Sequence, residues 1–269
     1  MINLLKADFF RVFRTKIVYI SLMVAIVLPL FINGVNYLTY AAALAMDPEL
    51  VEAGLGDSIL TSTFSPLMSF NYIFAVFPVI VIMMDFGNGT IRDKLIHGFT
   101  RHQIFAAHFV ISLADSVALT TLFATTNVIC SVFMLGISEI PQNLVIYYVS
   151  YFLIGFLGVV MIASIGSGLA LSLSNAGAII LTVVSVLFFN YFGNILDLIL
   201  RWNGIENAQN ILSLFPYYLT ETVSGYLSYG AEPTTFELIH YIEAVLGVLI
   251  VSGGFYALGT FVFNKKDLK

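Results

Sequence analysis

One carboxylate, Asp115, lies about eleven residues into an apolar run from Ile104 to Leu135. At 1.5 Å per residue that depth is near the middle of a bilayer. A carboxylate there is costly enough to raise a functional reading by default. Thr120, Thr121, Thr125, Thr126 and Asn127 follow it in the same run. The chemistry that fits is a proton or small-cation site. The plainer alternative, favoured because no second buried charge lies near in sequence, is a protonated or hydrogen-bonded Asp that ties helices together. His97, His102 and His108 are spaced by five and six residues. They do not stack on one helix face, so no metal site is expected. Cys130 is the single cysteine, which excludes an internal disulfide. No stretch reads Gly-x-x-x-x-Gly-Lys-Ser/Thr, so ATP binding through a P-loop is not expected on this chain.

The densest motif runs from Asp85 to Arg101. Gly87 and Gly89 end an apolar run. Thr90 has the signature of an N-cap, with Asp93 three residues on as the acid of a capping box. Ile91, Leu95 and Ile96 fall on one face, Arg92, Asp93 and Lys94 elsewhere, and Gly98 supplies the stop. The pattern predicts an amphipathic helix of about two turns lying flat at a membrane surface. Such a helix, tied at both ends to membrane helices, is a rigid knob that a soluble partner can push. A tight connector with no partner is the equal alternative.

The elements that must hold these residues are membrane helices. Of 269 residues, 59% are apolar and 10% charged, against about a quarter charged in a soluble domain. A crossing needs about 20 apolar residues. Spans are predicted at about 17–40, 67–84, 104–135, 144–171, 178–200 and 241–263. The break between the fourth and fifth is Ser172 to Gly177, a cluster of turn formers. Six spans put both termini on one side. All eleven Lys and Arg except Arg201 then share that side, which marks it as cytosolic. The predicted fold class is all-α, a single polytopic domain in the cell membrane. Its charge offers no basic patch for nucleic acid.

Residues 2–16 read as an interfacial helix, with Leu5, Phe9, Val12 and Phe13 at helical spacing and Lys6, Arg11 and Arg14 toward anionic lipid. Ile211 to Leu219, in the long outer segment before the last span, is too apolar for a solvated loop and too short to cross. It reads as a stretch dipping into the outer leaflet. Asn71, Phe74 and Phe77 in the second span and Asn190 in the fifth are candidate linings of a path for an amphipathic cargo. The plain reading is packing and lipid-facing aromatics. Gly155, Gly158, Gly166 and Gly168 permit close helix packing in the fourth span.

Asp85-x-x-x-Gly89-Thr90-Ile91-Arg92, followed by Leu95, Gly98 and Arg101, resembles the coupling-helix loop of ABC-2 type permeases, the membrane subunits of ATP-driven exporters. The basic N-terminus, the six spans, the long outer segment and the tail Phe263-Asn264-Lys265-Lys266-Asp267 are similar too. The departures are Asp85, where the family often has Glu, and His108, where a basic residue is common. The resemblance implies that Asp85, Gly89, Thr90, Ile91, Arg92, Lys94, Leu95, Gly98 and Arg101 contact an ATP-binding subunit. It implies that ATP and Mg act on that partner and that this chain is not itself an enzyme. A second permease copy or paralogue would complete the substrate path, with spans two and five facing each other. Cargo would be an antimicrobial peptide, drug or lipid-like molecule. The competing readings are an ion- or proton-coupled carrier using Asp115 and a non-transporting scaffold or sensor.

Overall fold

The computed structural model describes residues 2–46, 71–135, 144–203, 212, 214–215 and 238–266. Every regular element among them is helical. In chain order these are α1 (Ile2–Val12), α2 (Lys16–Met46), a 3₁₀ turn (Asn71–Ala75) leading into α3 (Val76–Gly87), α4 (Thr90–Ile96), α5 (Arg101–Leu135), α6 (Leu144–Leu173), α7 (Gly177–Trp202) and α8 (Leu238–Lys265). Four helices, α2, α5, α6 and α8, are long and apolar enough to cross a membrane. The pair formed by residues 72–87 and α4, bent by 62°, counts as a fifth if taken as one broken span. In α7, a helix of 26 residues, the described residues give a shorter apolar stretch, Gly177–Phe188. The chain is therefore a helical membrane protein. Its outward faces agree: Phe31, Leu38 and Ile250 are each about two-thirds exposed, and hydrocarbon is the solvent that suits such surfaces.

The bundle is built around α6, the most buried of the apolar helices, which packs against α8, α5, α7 and α3. Its small residues allow the approach. Gly158 lies under the Tyr72 ring and Gly166 under Val79 and Thr182, so a Cβ at either position would come within 2.8 Å of a neighbour. The reversal from α6 to α7 falls at 174–176, with Ser174 at φ 51° and the Asn175 side chain accepting from the Gly177 N–H. On another flank α2 lies along α5. Asn33 donates to Asn127 at 2.8 Å and accepts from Ser131 at 2.7 Å, so the pair is closed by polar groups that hydrocarbon cannot satisfy.

One expectation about a helix face needs correction. On α1 the buried face is Leu4, Asp8 and Val12, packed mainly on α5, while Phe9 and Phe13 are exposed. Of the stretch expected to dip into the membrane, Leu212, Leu214 and Phe215 are described, with Leu212 buried against Leu196 and Leu200. The rest of residues 204–237 lies outside the described residues.

Candidate functional site

The short helix α4 is bounded by two glycines that only left-handed backbone can serve. Gly89, at φ 73°, is its N-cap, and Gly98, at φ 86°, closes its far end. There the Phe99 N–H reaches the Lys94 carbonyl and the Gly98 N–H reaches that of Leu95, the paired bonds of a Schellman stop. The expectation that Thr90 caps the helix is not met. Thr90 is its first residue, no side chain caps the N-terminus, and the Asp93 N–H bonds the Gly89 carbonyl.

The faces of α4 also differ from the hydropathy pattern. Ile91 and Lys94 are buried and Leu95 is half-buried, whereas Arg92, Asp93 and His97 are exposed and Ile96 is 72% exposed. Lys94 points inward because it has partners there. Its Nζ donates to Asp8 Oδ1 of α1 at 2.6 Å and to His108 Nε2 of α5 at 3.0 Å. A charged Lys94 can only donate, so Nε2 accepts and the imidazole proton sits on Nδ1. That Nδ1 is 3.6 Å from Asp85 Oδ2, at the end of α3. Asp85 in turn holds both terminal nitrogens of Arg11 in a bidentate pair, and Arg11 returns to Asp8 at 3.5 Å. Asp8, Lys94, His108, Asp85 and Arg11 form a closed ring that joins four helices.

The ring is dry enough to matter. Asp8, Asp85 and His108 are 2–3% exposed and Lys94 is 9% exposed. Burial pushes the Lys94 ammonium below its ordinary range. Asp8 and Asp85 pull it up, and Arg11 pushes it down. Burial also works against the Arg11 charge, but the Asp85 hydrogen bonds and the charges of Asp85 and Asp8 outweigh it and hold the guanidinium above its ordinary value. Removing one member of such a set leaves a buried charge uncompensated.

A second set of contacts stitches the neighbouring helix ends. Arg101, at the start of α5, donates to the carbonyls of Phe263, Asn264 and Lys266 at 3.2, 3.0 and 2.5 Å, capping the end of α8. Lys266 donates to the Ser172 carbonyl near the end of α6 at 2.8 Å, and burial lowers its affinity for a proton.

Of the residues expected to meet a partner chain, Asp85, Ile91 and Lys94 are therefore internal, and Arg101 is engaged with α8. Gly89, Thr90 and Leu95 are half-buried, and Arg92 and Gly98 are exposed. Of the candidate path residues, Phe74 is fully buried against Phe123, with Phe77 beside it, and is a core residue. The side chains of Asn71 and Asn190 lie outside the described residues. The three histidines are apart in role. His97 binds its own helix at the Asp93 carbonyl, His102 meets the Tyr256 hydroxyl at 3.2 Å, and His108 belongs to the ring.

Asp8 and Arg11 were not read from the sequence as members of a site. The available signal was an acid on α1 at the helical spacing of buried Leu4 and Val12, with Arg11 one turn beyond it. In a chain this poor in charge, such an acid needs a partner. Compared by sequence with known proteins, the chain matches no family model and no curated protein.

Proposed function

We propose that the chain is the membrane subunit of an ATP-driven ABC-2 type exporter, working with a separate ATP-binding subunit and a second permease copy or paralogue. The observation that supports this best is the build of α4. It is a short rigid helix held between α3 and α5, with Arg92, Asp93 and Ile96 exposed on its outer face and Lys94 wired inward to α1 and α5. A partner gripping the outer face would move four helices through the ion ring. In this reading six segments cross the cell membrane, with α7 as the fifth, and the α4 end is cytosolic because the basic residues gather there. The chain carries no catalysis. ATP and Mg belong to the partner. The cargo is amphipathic, of the peptide, drug or lipid-like class.

The test is purification from the native host. An ATP-binding protein is expected to co-purify with the unaltered chain and to be lost with Arg92→Glu plus Ile96→Asp, while the variant stays folded and in the membrane. Reconstituted transport that proceeds without ATP, with no ATP-binding protein bound, rejects the reading.

A further inference from the structure

Asp115 lines a recess with His108 and Ser112 that has room for about one water, too little for a cargo. The unpartnered surface large enough to take a ligand is the outside of α1.

Leu4, Asp8 and Val12 face the bundle from α1 and are at most 4% exposed. Two rows of side chains face away from it. Ile2, Phe9 and Phe13, spaced by seven and four, share one side of the helix and are 69%, 50% and 44% exposed. Lys6, Phe10 and Arg14, spaced by four, form the next row, opposite the buried one, and all three are exposed. The Arg14 guanidinium lies 4.2 Å from the centre of the Phe10 ring, so the two form one unit. Lys16, exposed at the start of α2, follows two residues on.

The charge on this surface is of one sign. Asp8 is the only acid in residues 2–16, and it is turned inward to Lys94 and Arg11. Arg11 is engaged by Asp85. Lys6, Arg14 and Lys16 are left with no acidic partner among the described residues.

Water suits those three charges but not the large apolar groups beside them. A turn of three residues, Phe13 to Thr15, joins α1 to α2. Within its first two turns α2 exposes Tyr19, Ile20 and Met23. The outer face of α1 therefore sits where a membrane-length apolar helix begins. Aromatic and aliphatic groups beside a basic row, at that level, suit the boundary between headgroups and acyl chains. The surplus of positive charge favours anionic headgroups over zwitterionic ones.

We propose that the outer face of α1 docks an anionic phospholipid, with Lys6, Arg14 and Lys16 on the headgroup phosphate and Ile2, Phe9 and Phe13 among the acyl chains. The opposite face of the same helix supplies Asp8 and Arg11 to the ion ring. Bound lipid therefore holds α1 on the bundle, and its occupancy is read as stability. This site stands whether or not an ATP-binding subunit drives the chain.

Titration of the detergent-solubilised full chain with phosphatidylglycerol tests it, with the thermal midpoint as readout. A saturating rise is expected, larger than that from phosphatidylcholine of the same chain length and weakened by high salt. Lys6→Gln, Arg14→Gln and Lys16→Gln are each expected to raise the half-effective lipid concentration about fivefold, the equivalent of about 1 kcal/mol per charge. All three side chains are exposed, so their loss leaves the bundle intact. Lys6→Arg with Lys16→Arg, which keeps the charges, is expected to keep the response. Glycerol phosphate, a headgroup without chains, is expected to have no effect. An equal rise with phosphatidylcholine overturns the proposal, as does an unchanged response in the triple Gln variant. So does glycerol phosphate acting as well as the lipid, which would assign the three charges to a free phosphate.

Discussion

Asp8 of α1 and Lys94 of α4 meet at 2.6 Å across two elements that share no other polar contact among the described residues. Both are at most 9% exposed, so neither charge has water to fall back on. Breaking a buried pair from one side costs about 3–5 kcal/mol, most of it the stranded charge. Asp8→Ala is therefore expected to lower the thermal midpoint of the detergent-solubilised protein by many degrees. The double variant Asp8→Asn plus Lys94→Gln, which removes both charges and keeps hydrogen-bonding groups, is expected to recover most of the loss. A single variant as stable as the unaltered chain shows that the pair is not what holds α1 down.

How much of this could be read beforehand follows the range of each interaction. The long apolar helices were legible because span length depends on local composition alone, and the stop at Gly98 because a left-handed residue is a local demand. The faces of α1 and α4 were not legible. A hydropathy pattern turns Ile96 inward and Lys94 outward, and the reverse holds because Asp8 and His108, distant in sequence, wait at the Lys94 position. The same reason hid Arg101, whose bonds run to the far end of the chain. Phe74 carried two readings, a path lining and plain packing, and its burial fits the second. Its aromatic character suited a cargo path, but a ring against Phe123 fills the core instead.

Gly98 carries a specific cost prediction. At φ 86° any side chain enters the left-handed region, although a Cβ there would meet nothing within 4 Å. The penalty is purely conformational, about 1–2 kcal/mol. Gly98→Ala is expected to destabilise by that amount. Gly34→Ala, equally unobstructed but in the middle of α2, is expected to be neutral or slightly stabilising. Equal effects at the two positions contradict the assigned conformation of Gly98.

The α2–α5 clamp allows a sharper measurement. Asn33 and Asn127 form a buried side-chain hydrogen bond at 2.8 Å, with Ser131 as the third member. Interhelical hydrogen bonds in membrane proteins average about 0.6 kcal/mol and reach about 1.7. A double-mutant cycle of Asn33→Leu and Asn127→Leu is expected to return a coupling in the upper half of that range, because each Asn uses both ends of its amide or its backbone in the same cluster. A coupling indistinguishable from zero shows that the two helices are held by packing alone.

Arg101 joins the start of α5 to the end of α8 through three carbonyls at a helix terminus, where intrahelical donors run out; that of Phe263 also accepts from the Lys266 N–H. Replacing it with Gln removes a charge that favours the negative end of the α8 dipole as well as the fork of donors. The bundle itself does not depend on this contact, since α8 is held along its length by α6. Arg101→Gln is therefore expected to leave the melting midpoint nearly unchanged while the chain end frays. A lysine-specific protease should then cut at Lys265 and Lys266 several times faster than in the unaltered chain, with cleavage elsewhere the same. Faster cutting throughout the protein contradicts a local cap, and unchanged cutting at the tail shows that the Lys266 bond to Ser172 suffices to hold it.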